Sequence, residues 1–139
     1  NAYYEQEVKP YLDGKTINYI GSVGPTERDR LLGEAYALLH PINFNEPFGL
    51  SVVEAMACGT PVIAFPRGSM PEIIADGVNG LLVNDWEEAV SAVQKIESLD
   101  RQRCRQIVEE RFSKERMVED YLQVYKQILE TSSKNAATT

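Results

Sequence analysis

Between Asn43 and Phe65 the chain reads NFNEPFGLSVVEAMACGTPVIAF, and this stretch decides the fold. From Leu50 to Cys58 every residue is apolar or small except Ser51 and Glu54. Leu50, Val53, Glu54 and Ala57 recur at helical spacing on one face, with Val52 and Met56 on another. Gly59 stands where a C′ glycine ends a helix, and Pro61 bars its continuation, so Gly49 to Cys58 reads as one helix. The run PVIAF that follows is continuous, apolar and of strand length, the pattern of a strand buried on both faces. Upstream, ALLHP (Ala37 to Pro41) reads as another strand, and INFNEPFG carries its carboxyl end into the helix.

The same alternation extends outward in both directions. TINYIG, Thr16 to Gly21, has the β-branched and aromatic content of a short strand. PTERDRLLGEAY starts a helix after Pro25 with Thr26 as N-cap, and SMPEIIADG makes a short helix ending at Gly77. GLLV is a further strand. Asp85 caps the helix WEEAVSAVQKIESL, in which Trp86, Ala89, Val90, Val93 and Ile96 share a spacing. A last long helix, roughly Ser113 to Glu130, aligns Met117, Val118, Tyr121, Leu122, Tyr125, Ile128 and Leu129 as a stripe that reads as core. Strands alternating with helices predict an α/β fold, a Rossmann-like doubly wound parallel sheet with C-terminal helices. One domain over residues 3–131 and a disordered tail over 132–139 complete the expected organisation.

Composition narrows the partners. The 139 residues are 43% hydrophobic and 25% charged, with net charge -7 and a sequence pI near 4.8. That is ordinary for a globular domain. No Lys/Arg cluster is dense enough to neutralise a run of phosphates, which argues against a nucleic-acid partner. Cys58 and Cys104 read as free thiols of a reducing cytoplasm. No apolar run approaches the roughly 20 residues that span a bilayer.

In such sheets ligands bind outside the carboxyl ends of strands, which directs attention to INFNEPFG. Pro47 fixes its turn. Gly49 removes a Cβ at the helix mouth, where unpaired N–H groups and the positive dipole end favour an anion. A branched side chain at Gly49 is expected to block ligand approach while leaving the fold intact. Glu46 in the loop and Glu54 one turn into the helix are expected to bracket one small volume, and ionised carboxylates suit vicinal hydroxyls. Taken alone, Glu46 more often reads as a solvated loop residue, and Glu54 has the alternative of pairing with a core Arg. His40 ends a strand and reads as a hydrogen-bonded structural residue. PRGSMPE is either a second anion-binding loop or a tight turn, with Glu72 near the same cleft.

EPFGLSVVE, Glu46 to Glu54, is similar to the Glu-x7-Glu motif of retaining glycosyltransferases of the two-lobed GT-B architecture, the large group 1 class. EAMACGTPVIA and GSMPEIIADGVNGLLV continue the likeness, which runs over roughly Ile17 to Tyr125. The resemblance implies a C-terminal lobe that binds a nucleotide-sugar donor, with the acceptor-binding N-terminal lobe of the same parent chain as partner. Glu46 would contact the donor sugar as the catalytic carboxylate. Backbone amides near Phe48, Gly49 and Leu50 would meet the sugar and distal phosphate, and Glu54 would grip the ribose hydroxyls. No cofactor and no metal are implied, and the sequence has no Asp-x-Asp. The family's basic Arg and Lys pair belongs upstream of YYEQEVKPYL, so the chain is expected to be a portion of an enzyme, inactive alone. It is expected to be cytoplasmic, any membrane association residing in the other lobe, and to self-associate through an unpaired sheet edge.

Two other classes compete. A glycoside hydrolase would need the two carboxylates about 5 to 9.5 Å apart across a scissile bond, and a helix mouth between them suits phosphate better. A non-catalytic nucleotide-binding module remains the third reading.

Overall fold

A computed structural model describes residues 1–136. The ordered core begins with α1 (Pro25–Glu34), β1 (Leu38–His40), α2 (Leu50–Ala57) and β2 (Val62–Ala64). It continues through α3 (Met70–Ile73), β3 (Gly80–Leu82), α4 (Trp86–Val93), α5 (Arg101–Arg111) and α6 (Lys114–Ala136). The three strands form one parallel sheet in the order β1-β2-β3, with Leu38 opposite Val62 and Val62 opposite Gly80.

The alternation of β2 divides the core. Val62 and Ala64 pack with Val52, Ala55 and Met56 of α2, Met70 and Ile73 of α3, and Cys104 and Val108 of α5. Ile63 points the other way, into Phe65, Val83, Ala89, Ala92 and Ile96. Successive strand residues face opposite sides, so one apolar strand anchors helices on both faces. The α/β expectation therefore holds, and β2 is buried throughout.

Several local expectations are corrected. TINYIG is not a strand. Asp13 Oδ1 accepts the amides of Lys15, Thr16 and Ile17 at 2.8, 2.7 and 2.9 Å, winding the segment into a turn, and Tyr19 and Ile20 stay exposed. The same three amides hold the Asp13 carboxyl at about 2, below its usual range, the Ile17 contact contributing most. An extended segment gains little without a neighbouring ladder, and none faces it among the described residues. The N-cap of α1 is Gly24 with Pro25 at N1, not Thr26. Proline's fixed φ suits the first helical position, and its missing N–H costs nothing there. The short helix stops at Ile73, before Gly77, because Ile74 turns extended.

A helix that the sequence reading omitted, α5, is capped by Asp100, whose side chain accepts from Gln102 N. Arg101 donates to Ala35 O, Gly33 O and Thr60 Oγ1, each at 2.8 Å, tying α5 to the carbonyl end of α1. Helix α6 runs to Ala136, so residues 132–136 of the expected disordered tail are helical. Residues 137–139 lie outside the described range. The α6 stripe is also not core, since Met117, Val118, Tyr121, Leu122, Tyr125, Ile128 and Leu129 are all more than half exposed. The amphipathic period was real, and the cover that would bury it is not among the described residues. Cys58 and Cys104 are both free. No described helix is long and apolar enough to cross a membrane.

Candidate functional site

The carboxyl end of β1 leads through residues 41–48 to the start of α2. Gly49 is the N-cap of that helix and adopts the left-handed conformation, φ +89 and ψ 52, with no side-chain cap. A Cβ there would lie 2.5 Å from Met70 Cε and 3.5 Å from Ile73 Cδ1. Gly49 is therefore required by backbone conformation and by Met70 beneath it. Against the expectation that Gly49→Val would spare the fold, this geometry predicts a loss of stability.

Glu46 reaches forward to this cap, its Oε1 accepting the Gly49 amide at 3.1 Å. The loop is held from behind by Gly68 and Ser69. Ser69 N donates to Glu46 O at 2.9 Å, and Ser69 Oγ donates to Phe48 O at 2.7 Å. A Cβ on Gly68, itself at φ +57, would come within 2.3 Å of Glu46 O. PRGSMPE is thus a tight turn that buttresses the Glu46–Phe48 backbone, the second of the two roles considered for it. Its signal was the Gly-Ser pair; its contact across more than twenty residues had none.

Glu46, Phe48 and Gly49 are brought together, and Leu50 stands exposed at the first helical position. Glu54 lies a full turn further on, about 6 Å along the axis, and its Oε1 accepts from Arg28 Nη1 of α1 at 2.8 Å. Both side chains of this pair are 40% exposed. The carboxylate in the apolar stripe is thus half-exposed and paired, and Arg28 is the partner that the sequence did not identify. Glu54 lines a cavity of about 500 Å³ between α1, α2 and α5, together with Arg28, Asp29, Cys58 and Arg105; Glu46 is not part of its lining. The two acids are held by different partners, Glu46 by the Gly49 amide and Glu54 by Arg28, and only Glu54 lines this cavity. Burial, with Asp29 next, pushes the Cys58 thiol up, so it is no activated nucleophile.

His40 Nε2 is buried and has no hydrogen-bond partner among the described residues. The Glu72 side chain is exposed, and its carbonyl accepts from Arg111 Nη2 at 2.7 Å. Among the described residues no group of three or more His, Cys, Asp or Glu gathers as a cation site.

Chemically, the mouth of α2 offers first-turn amides without a side-chain cap, a fixed carboxylate at its lip, and a second carboxylate beside a nucleoside-sized cavity. Known proteins are similar to this chain in sequence and in fold. A Klebsiella pneumoniae protein named "Uncharacterized 41.2 kDa protein in cps region" is 36% identical over 122 residues, 83% of this chain and 34% of that protein. The D-inositol 3-phosphate glycosyltransferase of Mycolicibacterium smegmatis is 42% identical over 76 residues, 50% of this chain and 18% of the enzyme. The structure of sucrose-phosphate synthase from Thermosynechococcus elongatus matches with a TM-score of 0.74 and 29% identity, covering 94% of this chain and 34% of that one. The chain thus spans about a third or less of the length of these relatives. The pattern that defines the glycosyl transferases of group 1 matches residues 1–115, and the chain belongs to that family.

Proposed function

We propose that the chain is the donor-binding portion of a retaining glycosyltransferase, which transfers a hexosyl group from a nucleoside-diphosphate sugar to an acceptor held by an opposing lobe. The observation that carries this reading is the mouth of α2, uncapped by any side chain and with Glu46 fixed against the Gly49 amide. A departing diphosphate gains negative charge on its leaving oxygen. Preorganised amides at Phe48 and Leu50 stabilise that charge with no reorganisation at the moment of transfer, while the Gly49 amide between them holds Glu46 in place. Glu46, held at the lip, meets the donor sugar and favours the positive charge of an oxocarbenium-like state. Glu54 accepts from the ribose hydroxyls. Metal and cofactor have no part in this scheme; a basic pair of the parent chain would share the phosphate charge.

Calorimetric titration of the chain with UDP, GDP and their glucose conjugates tests the assignment. Glu54→Gln is expected to weaken nucleotide binding by about 1 to 3 kcal/mol, the worth of a hydrogen bond to a charged group. Glu46→Gln is expected to leave diphosphate binding nearly unchanged and remove the extra affinity conferred by the sugar. Variants indistinguishable from the unaltered chain, or a chain that binds none of these ligands, would refute the reading.

A further inference from the structure

We infer that Arg28 is a positioning residue for Glu54, holding one carboxylate oxygen so that the other faces the ribose diol of a bound nucleotide. This rests on the donor-binding reading above and adds to it a residue of α1 that lies outside the Glu46–Glu54 segment.

The guanidinium is fixed from two sides. Its Nε and Nη2 donate to Asp29 Oδ1 at 3.0 and 2.8 Å on its own helix, which sets the plane of the fork. Its remaining Nη1 crosses to α2 and donates to Glu54 Oε1 at 2.8 Å. Glu54 Oε2 accepts from no donor among the described residues, so the carboxylate is gripped at one end and open at the other. Arg28, Asp29 and Glu54 all line the same cavity of about 500 Å³, a volume suited to a nucleoside-sized ligand.

Energetics favour positioning over stability as the role of this pair. With both side chains 40% exposed, the pair is worth little to the fold. Its geometric effect is larger, because an unpaired glutamate on a helix surface samples several rotamers and loses that freedom on binding. A planar fork already engaged by Asp29 presents its third donor in one direction, which a lysine ammonium does not reproduce.

The discriminating measurement is preference for ribose, not affinity alone. UDP, ADP and GDP are titrated against their 2′-deoxy counterparts, and the tightest pair is used for the variants. The unaltered chain is expected to prefer the ribonucleotide by about tenfold, the value of one charge-assisted hydrogen bond. Arg28→Met is expected to reduce that preference to about twofold or less while deoxynucleotide affinity stays within about twofold, because the lost contact is the one to the hydroxyl. Arg28→Lys should fall between them. Combining Arg28→Met with Glu54→Gln should cost little beyond Glu54→Gln alone, the signature of two residues acting through one contact.

Circular dichroism and urea midpoints establish that the variants fold; if Arg28→Met does not, the intermediate preference of Arg28→Lys decides. Equal loss of both nucleotides in Arg28→Met, or a ribose preference untouched by it, overturns the positioning role and leaves the donor reading standing. Absence of binding or of any ribose preference in the unaltered chain overturns the donor reading itself and this inference with it.

Discussion

Helices α2 and α4 are each eight residues long, and each follows a strand of the same parallel sheet, yet their N-termini are built in opposite ways. At α4, Asp85 accepts the Glu88 amide at 2.8 Å, and Glu88 in turn accepts from the backbone and side chain of Asn84 at 2.8 and 3.0 Å. Glu87 and Glu88 place two further charges in its first turn. At α2 there is no side-chain cap and no acid in the first turn. A helix start attracts negative charge wherever it is found. In α4 a carboxylate occupies a first-turn amide, whereas in α2 the protein's own carboxylate, Glu46, takes only the N-cap amide of Gly49 and no side chain takes a first-turn amide. The omitted cap forgoes about 1 kcal/mol of stability, a concession characteristic of functional positions.

The largest effect expected from disturbing this contrast comes at Gly49. Valine there would have to adopt a left-handed backbone, which costs about 1 to 2 kcal/mol for an L-residue. It would also displace Met70, whose Cε lies 2.5 Å from the site of the new Cβ, adding an overpacking penalty of about 1 to 3 kcal/mol. Urea denaturation should show a loss of about 2 to 5 kcal/mol in total. A midpoint unchanged within error would mean that the helix mouth does not depend on the conformation described for it.

Removing the cap of α4 is the complementary change. Asp85→Ala is expected to cost about 1 kcal/mol and to leave nucleotide titrations unchanged, since Asp85 and its partner Glu88 lie on the far side of the sheet from α2. A fall in ligand affinity comparable to that of Glu54→Gln would place the ligand at the wrong helix.

How much of this contrast was legible in the sequence differs between its two halves. The Asp85 cap was readable because capping is local: the acceptor and its amide lie three residues apart. The loop before α2 was readable as a site because Pro47, Gly49 and two glutamates fall within nine residues. Its supports were not, since Ser69 meets Phe48 across 21 positions and Arg28 meets Glu54 across 26. Helical periodicity told correctly which residues share a face of α6 but not whether anything covers that face, and seven apolar residues taken as core are exposed. Composition identified TINYIG as strand-like, but strand formation depends on a neighbour, and the Asp13 turn occupies the amides that a ladder would need. Locality alone was not enough: Thr26 was read as the cap of α1, but Gly24 holds that position with Pro25 at N1.

The smallest and most discriminating change gives α2 what α4 already has. Ser51 is exposed and lies in the first turn of α2, so Ser51→Asp places a carboxylate against the positive end of the helix without disturbing the core. Interaction with the dipole should raise stability by about 0.3 to 1 kcal/mol at low ionic strength. The same charge repels a diphosphate at the mouth, so nucleotide affinity should fall as stability rises, and both effects should shrink as salt is added. Few substitutions move the two quantities in opposite directions, because damage to a site usually lowers both. Parallel urea and calorimetric titrations at low and high salt read the pair directly. If Ser51→Asp stabilised the chain and left UDP and GDP binding intact, the amides of α2 would not be where the phosphate sits, and the difference between the two helices would be one of capping alone.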